Sequence, residues 1–388
     1  MSVLLLKLPT QPLVYCLNLF VYSPFSEGHV SSIWGQVAIG GAWGLILSWV
    51  MIRWVAPLGL LDHPDGGRKH HTKATPRTGG LTLWMGLVVI QVAGLDPFGL
   101  HPLDWFAIHS MAFTGLLDDR YNLRARYKAV VGLGVALLLA LHVSQTMGPG
   151  ASHVFFLGMP LPTSALFIVP LLTAWFWAMP QAYNLIDGIN GLSMGFAALL
   201  LGVLGWNLGV QSALLWGGLL AVAALNFPKA HHFLGDCGAL MLGTFFAVLG
   251  VQAFGLRNPD LLLWVFAYPV VDVSLVVGIR RWRGHSLSRA DRSHLHHWMM
   301  GKVHGRAWLA TPVLLCLAFL PMTRTLGFPG HQVLSGLGLV ALLSLALKVF
   351  KDRVTEGVPQ TEGALVYREI PLLIPRARHE PSGTHPLV

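Results

Sequence analysis

Long apolar runs without a charged side chain constrain this chain more than any other feature of its sequence. Several windows extend for roughly 15 to 20 residues before a charge interrupts them. In lipid, each segment must satisfy its own backbone polar groups, so runs of this length have to be helices. An apolar fraction of 54% with 11% charged residues excludes an ordinary soluble protein. The sequence therefore predicts an all-α, polytopic integral membrane protein.

Eleven apolar runs can be placed along the chain, and we expect ten or eleven transmembrane helices from them. The runs are residues 33–54, 79–94, 103–117, 129–143, 164–180, 191–207, 212–226, 238–255, 260–279, 307–321 and 333–349. Residues 33–349 thus form the predicted transmembrane domain. Residues 1–32 are an N-terminal extension whose role the sequence leaves open. Residues 350–388 are rich in Pro and mixed in charge, and we expect a disordered cytoplasmic tail.

Basic residues are divided unequally between the two sets of loops. Only three of the 26 Lys and Arg residues, Lys7, Arg257 and Arg324, fall on the side that holds the N-terminus. By the positive-inside rule the other side is cytoplasmic, and all five polar stretches of the chain lie on it. The same rule explains the net charge of +9, so we do not expect nucleic-acid binding. The sequence predicts a multi-pass protein with its active site facing the cytoplasm.

Two adjacent carboxylates, Asp118 and Asp119, end one apolar run, and Lys128 stands at the start of the next. Neighbouring like charges favour a cation beside them, usually Mg²⁺ with a phosphate. The alternative is that both carboxylates flank a helix end and are solvated. The pair by itself does not decide between these interpretations.

Two further stretches place polar residues among glycines. In residues 184–192, Asn184 and Asp187 share one face if the segment is helical, and the glycines allow a ligand close to the backbone. Packing of a Gly-rich helix entrance would give the same spacing. In residues 226–239, Asp236 is either a ligand for a hard cation or a helix cap.

The remaining polar stretches are basic or rich in histidine. Arg68 and Lys69 lie in a loop with several glycines, which suits phosphate binding but also fits a juxtamembrane basic loop. The residues 292–297 contain three histidines, which would suit zinc, although no second ligand cluster occurs at the usual spacing. The surrounding arginines favour binding of a nucleotide phosphate or base. Asp272 lies within an apolar run and is a functional candidate unless it only pairs with a neighbour.

Together these stretches resemble the polyprenyl-phosphate N-acetylhexosamine-1-phosphate transferase family. The matching motifs, in the family's order, are Asp-x-Pro…Arg-Lys-x-His…Pro…Gly-Gly at 62–80, Asp-Asp…Lys at 118–128, Asn-x-x-Asp-Gly-x-x-Gly-Leu at 184–192, Asn…Phe-x-Gly-Asp-x-Gly at 226–238 and His-x-His-His at 294–297. The histidine motif looks like the WecA-like branch rather than the phospho-N-acetylmuramoyl-pentapeptide transferases. Two departures are Asn190, where the family usually has Asp, and Ala239, where it usually has Ser.

The resemblance implies transfer of N-acetylhexosamine 1-phosphate, in the first place GlcNAc 1-phosphate, from a UDP-sugar to undecaprenyl phosphate with release of UMP. This would be the first membrane step of a cell-envelope polysaccharide pathway, such as O-antigen synthesis, in the bacterial inner membrane. Mg²⁺ is the implied cofactor, with Mn²⁺ as a substitute, and a homodimer is a further expectation. Another UDP-N-acetylhexosamine, 6-deoxy or of GalNAc type, is the alternative donor. A membrane transporter is the alternative of a different class.

The resemblance also assigns roles to residues. The implied catalytic carboxylates are Asp118, Asp119 and Asp187, with Asp118 accepting a proton from the lipid phosphate or positioning it. The implied metal ligands are Asp236 and Asp119. The residues expected to bind the two substrates are Arg68, Lys69, Lys128, Asn184, Asn190, Asn226, Asp272, Arg292, His294, His296 and His297.

Overall fold

The structure is a computed structural model that describes residues 33–63, 73–146, 154–156, 158–162, 164–255, 258–286 and 292–355. Helices dominate these ranges, and this confirms the predicted all-α, multi-pass class. The expected N-terminal extension, residues 356–388 of the expected tail, and both Arg68 and Lys69 lie outside the described residues.

The described residues contain thirteen α-helices and two short antiparallel strand pairs. The helices are α1 Ile33–Val50, α2 Gly79–Val92, α3 Pro102–Tyr121, α4 Ala125–Thr146, α5 Ala165–Ile186, α6 Leu192–Leu208, α7 Ala213–Ala224, α8 Gly235–Phe254, α9 Asp260–Val265, α10 Ala267–Trp282, α11 Leu295–Lys302, α12 Ala307–Met322 and α13 His331–Thr355. The strands are β1 Leu61–Asp62, β2 Thr75–Pro76, β3 Val154–Phe156 and β4 Met159–Leu161.

Six helical segments are long and apolar enough to cross a membrane, and three shorter apolar helices accompany them. The six are Ile33–Val55, Ala125–Thr146, Ala165–Ile186, Gly235–Phe254, Ala307–Thr325 and His331–Thr355. Each of the eleven predicted runs is helical, but the run 260–279 is divided at Phe266 into α9 and α10. Pro269 lies in the first turn of α10, where its missing N–H removes no helical hydrogen bond. The last helix continues to Thr355, past the predicted end of the domain.

Helix α8 lies at the centre of the bundle. In its most apolar window 89% of the residues are buried, against 22–44% in the other five spanning segments. Apart from Asp236 in its first turn, α8 contains no acidic or basic residue, so it can be enclosed by protein along its length. The N-terminus of α8 is therefore reached by several neighbouring elements at once.

Glycines allow these neighbours to approach the start of α8. A Cβ atom at Gly80 of α2 would meet the backbone of Gly238, and one at Gly115 of α3 would meet the backbone of Asp236 and Cys237. Two hydrogen bonds also join this region to the end of the first loop, from Gly79 N to the Phe233 carbonyl at 2.9 Å and from Gly80 N to the Leu234 carbonyl at 2.8 Å. The close approach sets the position of the first turn of α8.

We expect Gly115→Ala to lower the thermal unfolding midpoint of the protein in detergent and to lower any activity that depends on Asp236 by about tenfold or more. The added methyl group meets backbone rather than a flexible side chain, and overpacking of this kind costs about 1–3 kcal/mol. Gly134→Ala is the matched control, because a Cβ there meets no atom within 4 Å. Equal behaviour of the two variants would contradict the packing argument.

Candidate active site

Four helix ends meet around the Lys128 ammonium group. Lys128 Nζ lies 2.9 Å from Asp118 Oδ2 and 2.6 Å from Asp236 Oδ2, and Asn184 Nδ2 donates to Asp236 Oδ2 at 3.3 Å. These residues come from the end of α3, the start of α4, the end of α5 and the start of α8. Polar stretches that are far apart in the sequence therefore form one site.

Asp119 faces the backbone at the start of α8. Its two carboxylate oxygens accept the N–H groups of Asp236 at 3.0 Å and Cys237 at 2.9 Å. The first N–H groups of a helix have no partner within the helix, and negative charge is favourable there. Gly235 has a φ of +71°, and a Cβ on it would meet the Asp119 carboxylate. Asp119 thus caps α8 and orients Asp236.

Arg77 adds a second positive charge to this site, and the sequence analysis gave it no role. One guanidinium nitrogen lies 3.8 Å from Asp119 Oδ1, and another is paired with Asp62. The β1–β2 pairing of Asp62 with Thr75 brings both residues together. Arg77 could have been found in the sequence by its position, because it stands just before the Gly79-Gly80 pair of the first motif.

The donor set fits a divalent cation of the Mg²⁺ type. Asp118 Oδ1 is buried without a hydrogen-bond partner among the described residues, and the Asp118 and Asp236 carboxylates are close enough to interact. The Asp118 and Asp236 carboxylates both pair with the Lys128 ammonium group, which shows that a positive charge is accommodated between them. Carboxylate oxygens are the ligands that Mg²⁺ prefers. Asp118 and Asp236 are therefore the residues best arranged to hold a metal.

Asp187 lies at the end of α5, close to the same site. Its Oδ1 accepts a hydrogen bond from Ser193 Oγ at 2.5 Å. Burial raises the pKa of Asp187 to about 6, and the nearby Asp236 charge adds to this, while the Ser193 hydrogen bond opposes it. Tyr183 holds the Ser193 backbone through a 2.6 Å hydrogen bond. Ser193 is a further site residue that the sequence analysis missed.

Asn190 and Asn226 build the scaffold of the site. The Asn226 side chain accepts Gly191 N–H at 2.6 Å and donates to the His232 carbonyl at 2.9 Å. Asn190 Nδ2 donates to the Pro228 carbonyl at 3.1 Å, a bond that an ionised Asp could not make. Burial lowers the pKa of His232 to about 4, which keeps its ring neutral at pH 7. The contacts of Asn226, predicted to bind substrate, are internal.

The histidine motif reaches the site from the opposite end of the sequence. The His296 ring lies against Gly188, because a Cβ at that glycine would meet the imidazole. His294 Nδ1 is 2.7 Å from Asp272 Oδ2. Asp272, predicted to bind substrate, is fully buried, and its other carboxylate oxygen, Oδ1, accepts Leu295 N–H at 2.7 Å, so both oxygens bond within the protein. The Arg292 carbonyl accepts Arg353 Nη2 at 3.3 Å.

Comparison with known proteins gives consistent results. The family model described as "Glycosyl transferase family 4" matches residues 103–254. A probable undecaprenyl-phosphate N-acetylglucosaminyl 1-phosphate transferase of Bacillus subtilis is 30% identical over 66% of this chain and 74% of its own length. Undecaprenyl-phosphate alpha-N-acetylglucosaminyl 1-phosphate transferases are 30% identical in Haemophilus influenzae (66% and 76% coverage) and 26% identical in Yersinia pestis (74% and 83%).

Proposed function

Because this chain belongs to glycosyl transferase family 4, we propose that it transfers N-acetylhexosamine 1-phosphate from a UDP-sugar to undecaprenyl phosphate and releases UMP. The observation that carries the proposal is the cluster of Asp118, Lys128 and Asp236, in which two carboxylates share one ammonium group. GlcNAc 1-phosphate is the proposed group, since the names of the relatives specify it. A 6-deoxy or GalNAc-type donor is the alternative that the assay below distinguishes.

The proposed reaction brings two negatively charged phosphate groups together, and positive charges in the site would offset their repulsion. Mg²⁺, or Mn²⁺ in its place, would supply positive charge at the phosphate oxygens when held by Asp118 and Asp236. Lys128 supplies a fixed positive charge at the same position and is suited to bind a phosphate. Asn184 orients the Asp236 carboxylate through its hydrogen bond.

The two adjacent carboxylates take different parts in this proposal. Asp118 faces Lys128 and is the candidate for positioning the attacking lipid phosphate or accepting its proton. Asp119 is expected from the resemblance to be a metal ligand, but its described contacts are backbone N–H groups of α8 and Arg77. We therefore assign Asp119 to holding Asp236 in place and Asp118 to the metal.

An apolar groove beside the site suits the polyprenyl chain of the acceptor. The groove lies between α4 and α5, has a volume of about 400 Å³, and is lined by Leu133, Leu137, Val169, Pro170, Thr173, Ala174 and Trp177. The same two helices carry Lys128 and Asn184 at their site ends. Leu133 follows Lys128 by about 7–8 Å along the helix. A chain in this groove would have its phosphate near the carboxylates.

We place the site on the cytoplasmic side of the bacterial inner membrane, where water-soluble UDP-sugars are made, because the basic loops lie on that side. The step would then begin a cell-envelope polysaccharide. The interacting ionisable groups of this site meet at one set of helix ends, which favours an enzyme over a transporter with a midplane site. A homodimer remains a prediction.

The test is UMP release by the purified, detergent-solubilised protein with undecaprenyl phosphate, Mg²⁺ and a panel of UDP-sugars. We expect release that depends on lipid and metal, with UDP-GlcNAc as the best donor. Best release with another UDP-N-acetylhexosamine would change the donor and keep the reaction. No release with any donor, from protein shown to be folded, would contradict the proposed function.

The pH dependence of this assay reports on the buried carboxylates of the site, Asp187 among them. Burial raises the pKa of Asp187 and of Asp118 to about 6 and that of Asp119 to about 7, so these carboxylates become protonated as the pH falls from about 7 to about 6 and we expect the rate to fall over that range. Position 187 cannot titrate in Asp187→Asn, which should show a low rate and a shallower acidic limb. An active Asp187→Asn variant with the wild-type limb would assign the titration to another group.

A further inference from the structure

We propose that Asp272 is a positioning residue for nucleotide recognition, which orders the three motif histidines so that His297 contacts the UDP part of the donor. The inference rests on the proposed function, because it takes UDP as the ligand of the histidine motif. It differs from the expectation that Asp272, His294 and His296 all bind substrate directly.

Asp272 anchors the start of α11. Its Oδ2 lies 2.7 Å from His294 Nδ1 and its Oδ1 accepts Leu295 N–H at 2.7 Å, so one carboxylate serves the two residues at the beginning of the helix. Asp272 is fully buried, where an unpartnered carboxylate would be very unfavourable. The two hydrogen bonds therefore account for the carboxylate and tie the motif to α10.

The contact between Asp272 and His294 also places the histidine motif beside the middle of α10 and not at its end. Asp272 lies about 15 Å before the end of α10 at Trp282, at 1.5 Å per residue. The chain that leaves α10 must return along the helix by this distance before His294 can reach Asp272. The predicted apolar runs end at residue 279 and resume at residue 307, so the sequence gives no sign of this return and only the tertiary structure shows it.

Asp272 also selects the tautomer of His294. An ionised carboxylate only accepts hydrogen bonds, so His294 Nδ1 carries the proton that is shared with Asp272. The other ring nitrogen, Nε2, is then the one that can meet another group. A carboxylate partner of this kind fixes both the protonation pattern and the orientation of an imidazole ring.

The three histidine rings of the motif are in contact with one another, so the orientation of His294 affects that of His297. The His294 and His296 rings are 5.2 Å apart and inclined by 21°, and the His296 and His297 rings are 4.3 Å apart. His294 is 4% exposed and His296 is 1% exposed, whereas His297 is partly exposed. Because His296 also packs on Gly188, beside Asp187, the array adjoins the phosphate-transfer site. Of the three motif rings, His297 is therefore the one that a ligand can reach.

Asp272→Asn tests the anchor with little change in size. Asn offers one acceptor oxygen for two donors, so either His294 or Leu295 loses its partner or the ring changes tautomer. We expect the KM for the UDP-sugar and the Kd for UDP to rise about 10- to 100-fold, since a hydrogen bond to a charged group is lost. The KM for undecaprenyl phosphate should stay within about twofold.

Asp352→Asn is the matched control. Asp352 also holds α11, through a 3.1 Å hydrogen bond from Trp298 Nε1, and within the described part of the chain it forms no hydrogen bond or ion pair with a histidine of the motif. We expect this variant to keep the wild-type KM values. A general loosening of α11 would instead raise the KM for the UDP-sugar in both variants, and that outcome would overturn the positioning role.

A double-mutant cycle separates action through His294 from a direct effect. If Asp272 acts through the ring, Asp272→Asn should have much less effect when His294 is already Ala, whereas additive losses would contradict the proposal. If Asp272→Asn does not yield folded protein, His297→Ala tests the proposal in its place, because this variant keeps the hydrogen bonds of Asp272 to His294 and Leu295. Wild-type UDP affinity in His297→Ala would overturn the proposal.

Three further outcomes have a clear meaning. One zinc ion per purified chain, lost in Asp272→Asn, would assign Asp272, His294 and His296 to a metal and overturn the hydrogen-bonding role; their potential ligand atoms lie within 4.8 Å of one another. A wild-type protein that neither binds UDP nor releases UMP would contradict the proposed function itself. Wild-type turnover with an unchanged KM in Asp272→Asn would contradict this inference alone.

Discussion

Asp236→Asn is expected to lower Mg²⁺-dependent UMP release at least about 1,000-fold, the largest loss among the variants considered. The Asn side chain has nearly the same size and can still accept from Asn184, but it lacks the charge that pairs with Lys128 and would hold the metal. The measurement is the initial rate of UMP release as a function of Mg²⁺ concentration. Size-exclusion behaviour and the thermal midpoint of the variant establish that it is folded.

Asp260→Asn is the control for this substitution. Asp260 lies in the first turn of α9 as Asp236 lies in the first turn of α8, so both changes remove an acidic residue from a helix start. We expect the Asp260 variant to keep the wild-type rate and Mg²⁺ dependence. A folded Asp236→Asn protein with a normal rate would show that the metal assignment is wrong.

Lys128→Met is expected to lower the rate by about 100-fold or more at all Mg²⁺ concentrations. The substitution removes the ammonium group shared by the Asp118 and Asp236 carboxylates, and no other cation among the described residues lies within salt-bridge distance of either carboxylate. Lys128→Arg keeps the charge but not the compact shape, so an intermediate rate is expected.

Lys351→Met controls for the loss of a positive charge near a helix end. Lys351 is exposed in the last turns of α13, and its replacement should leave the rate unchanged. If Lys128→Met and Lys351→Met were equally active, Lys128 would have only a structural role in holding the two carboxylates together.

Most of the helices could be predicted from the sequence because the requirement that creates them is local. A long apolar run in lipid has to satisfy its own backbone, and every predicted run is helical in the structure. The division of residues 260–279 at Phe266 was not predicted, since the hydropathy of the run continues across it. The β1–β2 pair escaped prediction because two-residue strands carry no periodic signal.

The candidate site could be predicted in outline and not in its contacts. Ordered motifs pointed to Asp118, Lys128, Asn184 and Asp236, which the structure brings together. They pointed equally to Asn226, whose side-chain partners among the described residues are backbone groups. Residue type indicates that a polar group needs a partner, but the partner can be a substrate or the protein itself.

The sequence alone determined that this chain crosses a membrane several times and that its polar residues are concentrated in a few stretches. Only the tertiary structure decided how the adjacent residues Asp118 and Asp119 divide their roles. Successive helical residues point about 100° apart, so Asp118 faces Lys128 while Asp119 faces the first N–H groups of α8. That difference depends on where α8 begins relative to α3, which is a property of the packed helices and not of either segment.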